Sequence, residues 1–379
     1  MHKKRIIHVI TGLNMGGAEM MLYKLLTATD YRVFEPIVIS LLDKGVIGPR
    51  IEKLSVPVYS LGMTQGRLVT SAGFALSNLL RELRPDIIQG WMYHANLAST
   101  VAASIASRNA AVIWNIRQSL YNLKAEKKTT TAVIYLSAWL SRFPRQIIYN
   151  AAISAQQHEQ LGFRADKRRV ISNGFDCERF QPSSTAHQQL CQMLDISGDC
   201  ILIGLVGRYH DMKDHPNFVQ AAKLVNLQYT QAHFVLIGTN ITADNDALSS
   251  LIKDAKLEHK IHLLGERSDI PTLMPGLDIL VNSSWAEAFP NVIGEGMACA
   301  VPCVVTDVGE SAMIVGNTGK VVPPRDADML AGAIIDLLDA GSSHRQQLGQ
   351  LARQRIVDKY SLPQVVAQYE SLYTNVLVG

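Results

Sequence analysis

Residues 284–309 read SWAEAFPNVIGEGMACAVPCVVTDVG, and the fold of the chain is read outward from them. Glu287 and Glu295 stand on either side of Pro290, a residue that suits the first turn of a helix and little else inside one. This puts Glu287 in a loop and Glu295 in a helix over about residues 290–299. The unpaired amides at the start of that helix fall beside Glu287, and such an end attracts anions because the macrodipole points the same way. Carboxylates accept hydrogen bonds from sugar hydroxyls and amides take phosphate, so a nucleotide-sugar fits both. Spacing alone leaves open the plainer alternative of an ordinary acidic residue at a helix start and a solvated one further on.

A chain of 379 residues suits two domains, and a hydrophobic content of 47% fills two cores. The boundaries read from the sequence are 1–180 and 181–361, with a final helix over about 362–379. Five cysteines, Cys177, Cys191, Cys200, Cys299 and Cys303, form no CxxC pair. That implies a reducing cytoplasm without a disulfide or zinc framework. The opening MHKKRIIHVITGL reads as a buried strand and not as a signal peptide, since its apolar run is short and no small-residue cleavage site follows. No stretch reaches the ~20 apolar residues of a membrane span.

The net charge of +3 hides an asymmetry. Residues 1–180 carry 23 Lys/Arg and 12 Asp/Glu, a balance of +11; residues 181–379 carry 13 and 21, a balance of −8. A basic half points to an anionic partner such as a nucleic acid or a membrane surface.

An apolar run at 5–11, the loop Gly12-Leu13-Asn14-Met15-Gly16-Gly17 and a periodic stretch at 18–28 give strand, glycine loop and helix, the start of a doubly wound α/β domain. The glycines fit neither GxGxxG nor a P-loop, so Gly16 and Gly17 either expose amides to a phosphate or shape a tight turn. Further strands are expected at 35–41, 56–61, 86–89, 111–115 and 146–149, which makes a parallel sheet covered on both faces. His94 follows the strand at 86–89, at the end where open α/β sheets bind ligands. Residues 120–145 mix Lys124, Lys127, Lys128, Arg142 and Arg145 with Tyr121, Tyr135, Trp139 and Phe143. They form either an interfacial helix on an anionic membrane or a core helix with solvated flanks. No nucleic-acid module is recognisable, so a lipid surface is the better match for the charge.

Asn173-Gly174 and the polar residues 181–189 mark the crossing to the second domain, whose strands are expected at 201–207, 232–238, 260–264 and 278–282. Arg208 and Lys213 lie after the first of these, where cations meet a ligand's phosphates. Arg267 borders a nucleotide base on the same reasoning. Asp244-Asn245-Asp246 and Asp326-Ala327-Asp328 imitate a metal-binding DxD, yet each precedes a periodic helix and is explained by N-capping. No metal and no cofactor are expected.

Glu287, seven residues, Glu295, then Met297-Ala298, Pro302, a β-branched strand and Thr306-Asp307-Val308-Gly309 together resemble the signature of glycosyltransferase family 4. The Gly16-Gly17-Ala18-Glu19 loop, His94, Asn173-Gly174, Arg208 and Lys213 extend the resemblance over nearly the whole chain. It implies the GT-B fold, two facing Rossmann-like domains, with the last helix returning to the first domain. It also implies retaining transfer of a hexose-type sugar from a nucleoside-diphosphate-sugar to a glycan or polyprenyl-diphosphate-linked acceptor, as in bacterial surface polysaccharide or lipopolysaccharide synthesis. Glu287 would face the donor sugar, and His94 the sugar near the reacting centre. Glu295 would meet the ribose, and Arg208, Lys213 and the Gly16-Gly17 loop the diphosphate. The amides at Ala288 and Phe289, with Asn291, would complete the donor site. Residues Lys124, Lys127, Lys128, Trp139, Arg142 and Arg145 would hold the protein peripherally on the anionic cytoplasmic face of the inner membrane. Ala288 stands where Gly is usual, Gly296 where Ala is usual, and Asp214 where Gly often follows the Lys. The rival readings are a nucleotide-sugar epimerase of similar build and a non-catalytic scaffold of the same fold.

Overall fold

Seven short apolar runs pair side by side in the first part of the chain: β1 (Lys4–Ile10), β2 (Phe34–Ser40), β3 (Val58–Ser60), β4 (Ile87–Trp91), β5 (Ala111–Ile116), β6 (Gln146–Tyr149) and β7 (Arg168–Val170). All pairings are parallel, in the order β3-β2-β1-β4-β5-β6-β7. This computed structural model describes residues 3–63, 70–106, 109–120, 128–197 and 199–378, the side chains of 70–73 aside.

In β1, Ile6 and Ile10 join one core and Ile7 and Val9 another. Alternating side chains point to opposite faces, so both faces of this strand are covered, as a parallel sheet requires. Helix Gly17–Ala28 buries Met21, Leu22, Leu25 and Leu26 on the first face. The last helix, Leu362–Val378, packs on the same core through Val365, Val366 and Tyr369. Polar contacts fix its register: the Tyr369 hydroxyl accepts from Asn115 Nδ2 at 3.1 Å and from Arg117 Nη1 at 2.8 Å. The Tyr373 hydroxyl donates to Gln89 at 2.6 Å. That helix therefore belongs to one compact unit with residues Met1–Gly174, and Phe175–Ser361 form the other.

The second unit holds β8 (Ile201–Val206), β9 (Ala232–Ile237), β10 (Ile261–Leu263), β11 (Ile279–Asn282), β12 (Cys303–Thr306) and β13 (Lys320–Val322). They too are parallel, in the order β10-β9-β8-β11-β12-β13. Along β9, Phe234 and Leu236 enter one core and Val235 and Ile237 the other. Both units are thus doubly wound α/β sheets. In each, the chain steps from the central strand to one side and later returns to pair on its other side. This creates a switch point between β1 and β4, and another between β8 and β11.

Two strands have no counterpart among the expected ones. β7 and β13 are three residues long and close the ends of their sheets, and runs so short carry too little alternation to be recognised. Helix Asn291–Ala298 begins one residue later than expected, with Pro290 as its extended N-cap and not in its first turn.

Two imidazoles are buried in the first unit. His8 accepts from the Trp91 indole at 3.3 Å, and its pKa is depressed by desolvation to about 3. His158 lies 2.7 Å from the Tyr93 hydroxyl and is depressed by desolvation to about 4. Both are neutral when folded, while the unfolded chain takes up protons below the ordinary 6.5. Their contribution is whole above that pH and is lost as pH falls through the folded values. Between pH 6.5 and 4 we expect stability to decline by about 1.4 kcal/mol per pH unit for each imidazole still neutral in the fold. Denaturant titrations across this range check it, and His158→Gln is expected to flatten the slope.

Candidate functional site

The loops that leave β8 and β11 flank the switch point of the second sheet and are laced together. Ser283 Oγ donates to the carbonyls of Lys213 at 2.8 Å and Asp214 at 3.2 Å. The Trp285 amide donates to the Met212 carbonyl at 3.0 Å, and its indole to the Asp211 carbonyl at 2.9 Å. The lacing brings the Lys213 ammonium onto Glu287 Oε1, which also accepts from Ser284 Oγ at 2.9 Å. Lys213 and Glu287 side chains are only 23% and 15% exposed. Shielding of this order raises both the attraction and the cost of leaving either partner alone.

Glycines set the approach distances. A Cβ on Gly309, at φ +56°, would lie 2.2 Å from the Glu287 carbonyl and 2.6 Å from that of Ala288. Only a glycine lets the turn after β12 press on the Glu287 loop. The Lys213 side chain packs over Gly207. No acceptor among the described residues takes the amides of Ala288 and Phe289, which are left available at the entry to helix Asn291–Ala298. The Phe289 ring is buried and stacks on Phe175 at 6.1 Å, so this residue offers its backbone and not its side chain.

Two departures from the usual pattern have physical reasons. Asp214 adopts the left-handed conformation, φ 52°, and its carboxylate caps helix His215–Gln228 by accepting from the Asn217 amide at 3.3 Å. An Asp tolerates that geometry better than most residues and supplies a cap that glycine lacks. At Gly296 the space that a Cβ would need is filled by Leu280, whose Cδ2 would be 2.3 Å away.

The other expected residues fall as follows. Arg208 is exposed just beyond β8, and Glu295 and Asn291 lie half-buried on helix Asn291–Ala298. Arg267 is half-buried and chelates Asp269 through two bonds of 2.8 and 2.6 Å. Asn245 and Asp326 cap helices Asp246–Ala255 and Ala327–Asp339 by accepting from Leu248 and Met329. In the first unit, Gly16 and Gly17 follow β1, and His94 lies in the first turn of helix Met92–Ala106, directly after β4. They flank the switch point of that sheet. A Cβ on Gly16 would strike the Glu19 carboxylate at 2.3 Å, whereas Gly17 faces open space. Desolvation lowers the His94 pKa, which favours a neutral imidazole near pH 7. Met92, two residues earlier, has φ +67°, an uncommon backbone state for a bulky side chain.

Helix Lys128–Leu140 turns Ile134, Ser137 and Ala138 inward. Tyr135, Leu136, Trp139 and Phe143 are exposed, the last two at 60% and 56%. The Arg142 guanidinium sits 4.2 Å over the Trp139 ring and 5.0 Å from that of Phe143. Lys128 and Arg145 are also exposed. Lys124 and Lys127 lie outside the described residues. No helix among the described residues is long and apolar enough to cross a membrane.

Residues 15–179 match the model described as Glycosyltransferase Family 4, and residues 201–340 the model described as Glycosyl transferases group 1. The chain belongs to glycosyltransferase family 4. This transferase is 26% identical, over 92% of its length and 96% of the relative's, to the N,N'-diacetylbacillosaminyl-diphospho-undecaprenol alpha-1,3-N-acetylgalactosaminyltransferase of Campylobacter jejuni. It is 23% identical, over 80% of its length and 79% of the relative's, to the Escherichia coli UDP-Gal:alpha-D-GlcNAc-diphosphoundecaprenol alpha-1,3-galactosyltransferase. Among solved structures, Anabaena Alr3699/HepE in complex with UDP superposes with a TM-score of 0.83 at 23% identity, covering 98% of this chain and 100% of that one. The fold of the transferase is therefore GT-B, and its activity is transfer from a sugar donor.

Ser284, Trp285 and Arg325 were not singled out by the sequence. Arg325 stands 4.6 Å over the Trp285 ring, with its own φ at +61°. Trp285 lies two residues before Glu287, which is the one signal available; nothing local marks Arg325.

Lys213→Met and Glu287→Gln are expected to be coupled in a double-mutant cycle of thermal stability by about 0.5–3 kcal/mol. The single Lys213→Met change should be the more costly, since it strands a shielded carboxylate.

Proposed function

We propose that the chain is a retaining hexosyltransferase, taking its sugar from a nucleoside-diphosphate-sugar and passing it to a polyprenyl-diphosphate-linked glycan in bacterial surface polysaccharide synthesis. The observation that carries the reading is the Glu287 carboxylate, held by Lys213 and Ser284 beside the unpaired amides of Ala288 and Phe289 at the switch point of the second sheet. Glu287 accepts from donor-sugar hydroxyls. The amides of residues 288 and 289, together with Asn291, take phosphate oxygens. Glu295 binds the ribose, and the exposed Arg208 joins Lys213 in steadying the charge that grows on the departing diphosphate. With two cations for that task, the transfer needs no metal ion. His94, neutral and at the carboxyl end of its strand, contacts the sugar near the reacting centre, and the Gly16-Gly17 loop approaches the diphosphate. The two relatives named above carry diphospho-undecaprenol acceptors in their names, and Alr3699/HepE was solved with UDP; both support this choice of co-substrates.

The acceptor class agrees with the first unit's exposed aromatic and basic face. Trp139 and Phe143, with Arg142 stacked on both, dock at the headgroup level of an anionic membrane, which places the protein peripherally on the cytoplasmic face. Arg142→Glu with Arg145→Glu is expected to weaken co-sedimentation with anionic vesicles roughly thirtyfold at low salt, on the ~1 kcal/mol that each basic residue contributes near such a surface. Equal binding by the variant would exclude this surface.

The activity test is the reaction itself. Nucleotide-sugars are incubated with a polyprenyl-diphosphate-linked saccharide, free of divalent cations, and the anomer of the product is read by NMR. We expect the donor's configuration to be retained, and Glu287→Gln to lower turnover by about a hundredfold while the variant stays folded at the assay temperature. A donor epimerised without transfer, or an inverted product, would overturn the proposal.

A further inference from the structure

His187 and Cys191 lie four residues apart on helix Ala186–Met193, which puts both side chains on one face. Cys200 immediately precedes β8 and Asp278 immediately precedes β11. The four residues gather at the amino ends of these strands, at the opposite edge of the sheet from the loops of Lys213 and Glu287. Cys191 Sγ stands 3.7 Å from His187 Nδ1 and 3.1 Å from Cys200 Sγ. The three donor atoms all lie within 4.8 Å of one another, and both thiols are buried.

The remaining contacts prepare the imidazole. His187 Nε2 lies 3.2 Å from Asp278 Oδ2. That oxygen also accepts from the Leu202 amide at 2.8 Å, and the Arg345 guanidinium lies 3.9 Å from the other carboxylate oxygen. With Nε2–H donated to the carboxylate, the Nδ1 lone pair is left facing the sulfurs. A carboxylate behind a histidine is the arrangement that orients metal-binding imidazoles and raises their basicity. A cavity of about 450 Å³ adjoins the group, lined by His187, Asp278 and Arg345 among others.

We propose that His187, Cys191 and Cys200 bind one zinc ion, through Nδ1 and two thiolates, with the fourth position taken by water from the adjoining cavity. One imidazole and two sulfurs suit a borderline-soft tetrahedral ion. Binding displaces two thiol protons to solvent, and the doubly positive ion with two thiolates is a neutral unit fit for burial. Bond lengths of about 2.3 Å to sulfur and 2.0 Å to nitrogen set a sulfur–sulfur edge near ~3.7 Å and a nitrogen–sulfur edge near ~3.5 Å. The 3.7 Å from Nδ1 to Cys191 Sγ already suits its edge, and the sulfurs separate by roughly 0.6 Å on binding. The ion would staple the first helix of the second unit to the starts of β8 and β11. It is a stabilising site and takes no part in glycosyl transfer.

The full chain, reduced and stripped of metal, is titrated with cobalt(II) and then with zinc. We expect a thiolate-to-cobalt charge-transfer band that saturates at one ion per chain and is bleached by zinc. Zinc should raise the thermal midpoint of the wild type and protect two thiols from alkylation. Cys200→Ser should lose the band and the midpoint shift while transferring sugar at the wild-type rate. If Cys200→Ser does not fold, His187→Ala, at a half-buried position, is expected to weaken cobalt at least tenfold. Absence of the thiolate band would overturn the proposal. So would protection of the two thiols by peroxide, through a Cys191–Cys200 disulfide, with none by metal.

Discussion

Parallel pairing on both sides of a central strand is the constraint from which the chemistry of this chain follows. β1 and β8 each have neighbours reached in opposite directions, so the loops leaving each of them and its later partner must diverge. The crevice they leave is bordered by carboxyl strand ends and helix starts, where backbone amides are unpaired. In the second unit the chain fills that border with Lys213 after β8 and Glu287 after β11. Beyond the single 3₁₀ turn Asp211–Lys213, neither loop has regular structure to hold it. Their relative position comes from Ser283, Trp285 and the close approach of Gly309.

A shielded ion pair is a poor device for stability alone, because desolvation offsets much of the attraction. Its value here is geometric. Lys213 and Ser284 both donate to Oε1 of Glu287 and fix the orientation of its carboxylate. Arg325 stacks on Trp285, two residues before Glu287 in the same loop. The amino ends of the same strands carry a different kind of chemistry, with His187, Cys191 and Cys200 drawn together by one helix and one strand start. The two edges of one sheet thus carry different sets of side chains.

Much of this was legible in the sequence, and the exceptions have common causes. The central strands announced themselves as apolar runs, and the Glu–Pro–Glu spacing separated loop from helix. β7 and β13 were too short to show a period, and they sit where a sheet needs only one partner. The bond from Arg267 to Asp269, two residues on, is a local pairing that residue type alone does not announce. Ser284, Trp285 and Arg325 gain meaning only from contacts made after folding. The cysteines were judged by CxxC spacing, and a ligand set that skips from a helical i, i+4 pair to a strand start escapes that test. Asp214 looked like a departure until its left-handed backbone and its capping role were seen together.

The measurement that tests the account most directly is the thermal midpoint of the wild type and of Lys213→Met against a panel of nucleoside diphosphates in the absence of divalent cations. If Lys213 and Glu287 mark the donor site, the diphosphate of one base raises the wild-type midpoint, by ~2.7 kcal/mol of stabilisation at a hundred times its dissociation constant, and the variant responds far less. A chain indifferent to every nucleotide, or a variant shifted as much as the wild type, would contradict the account.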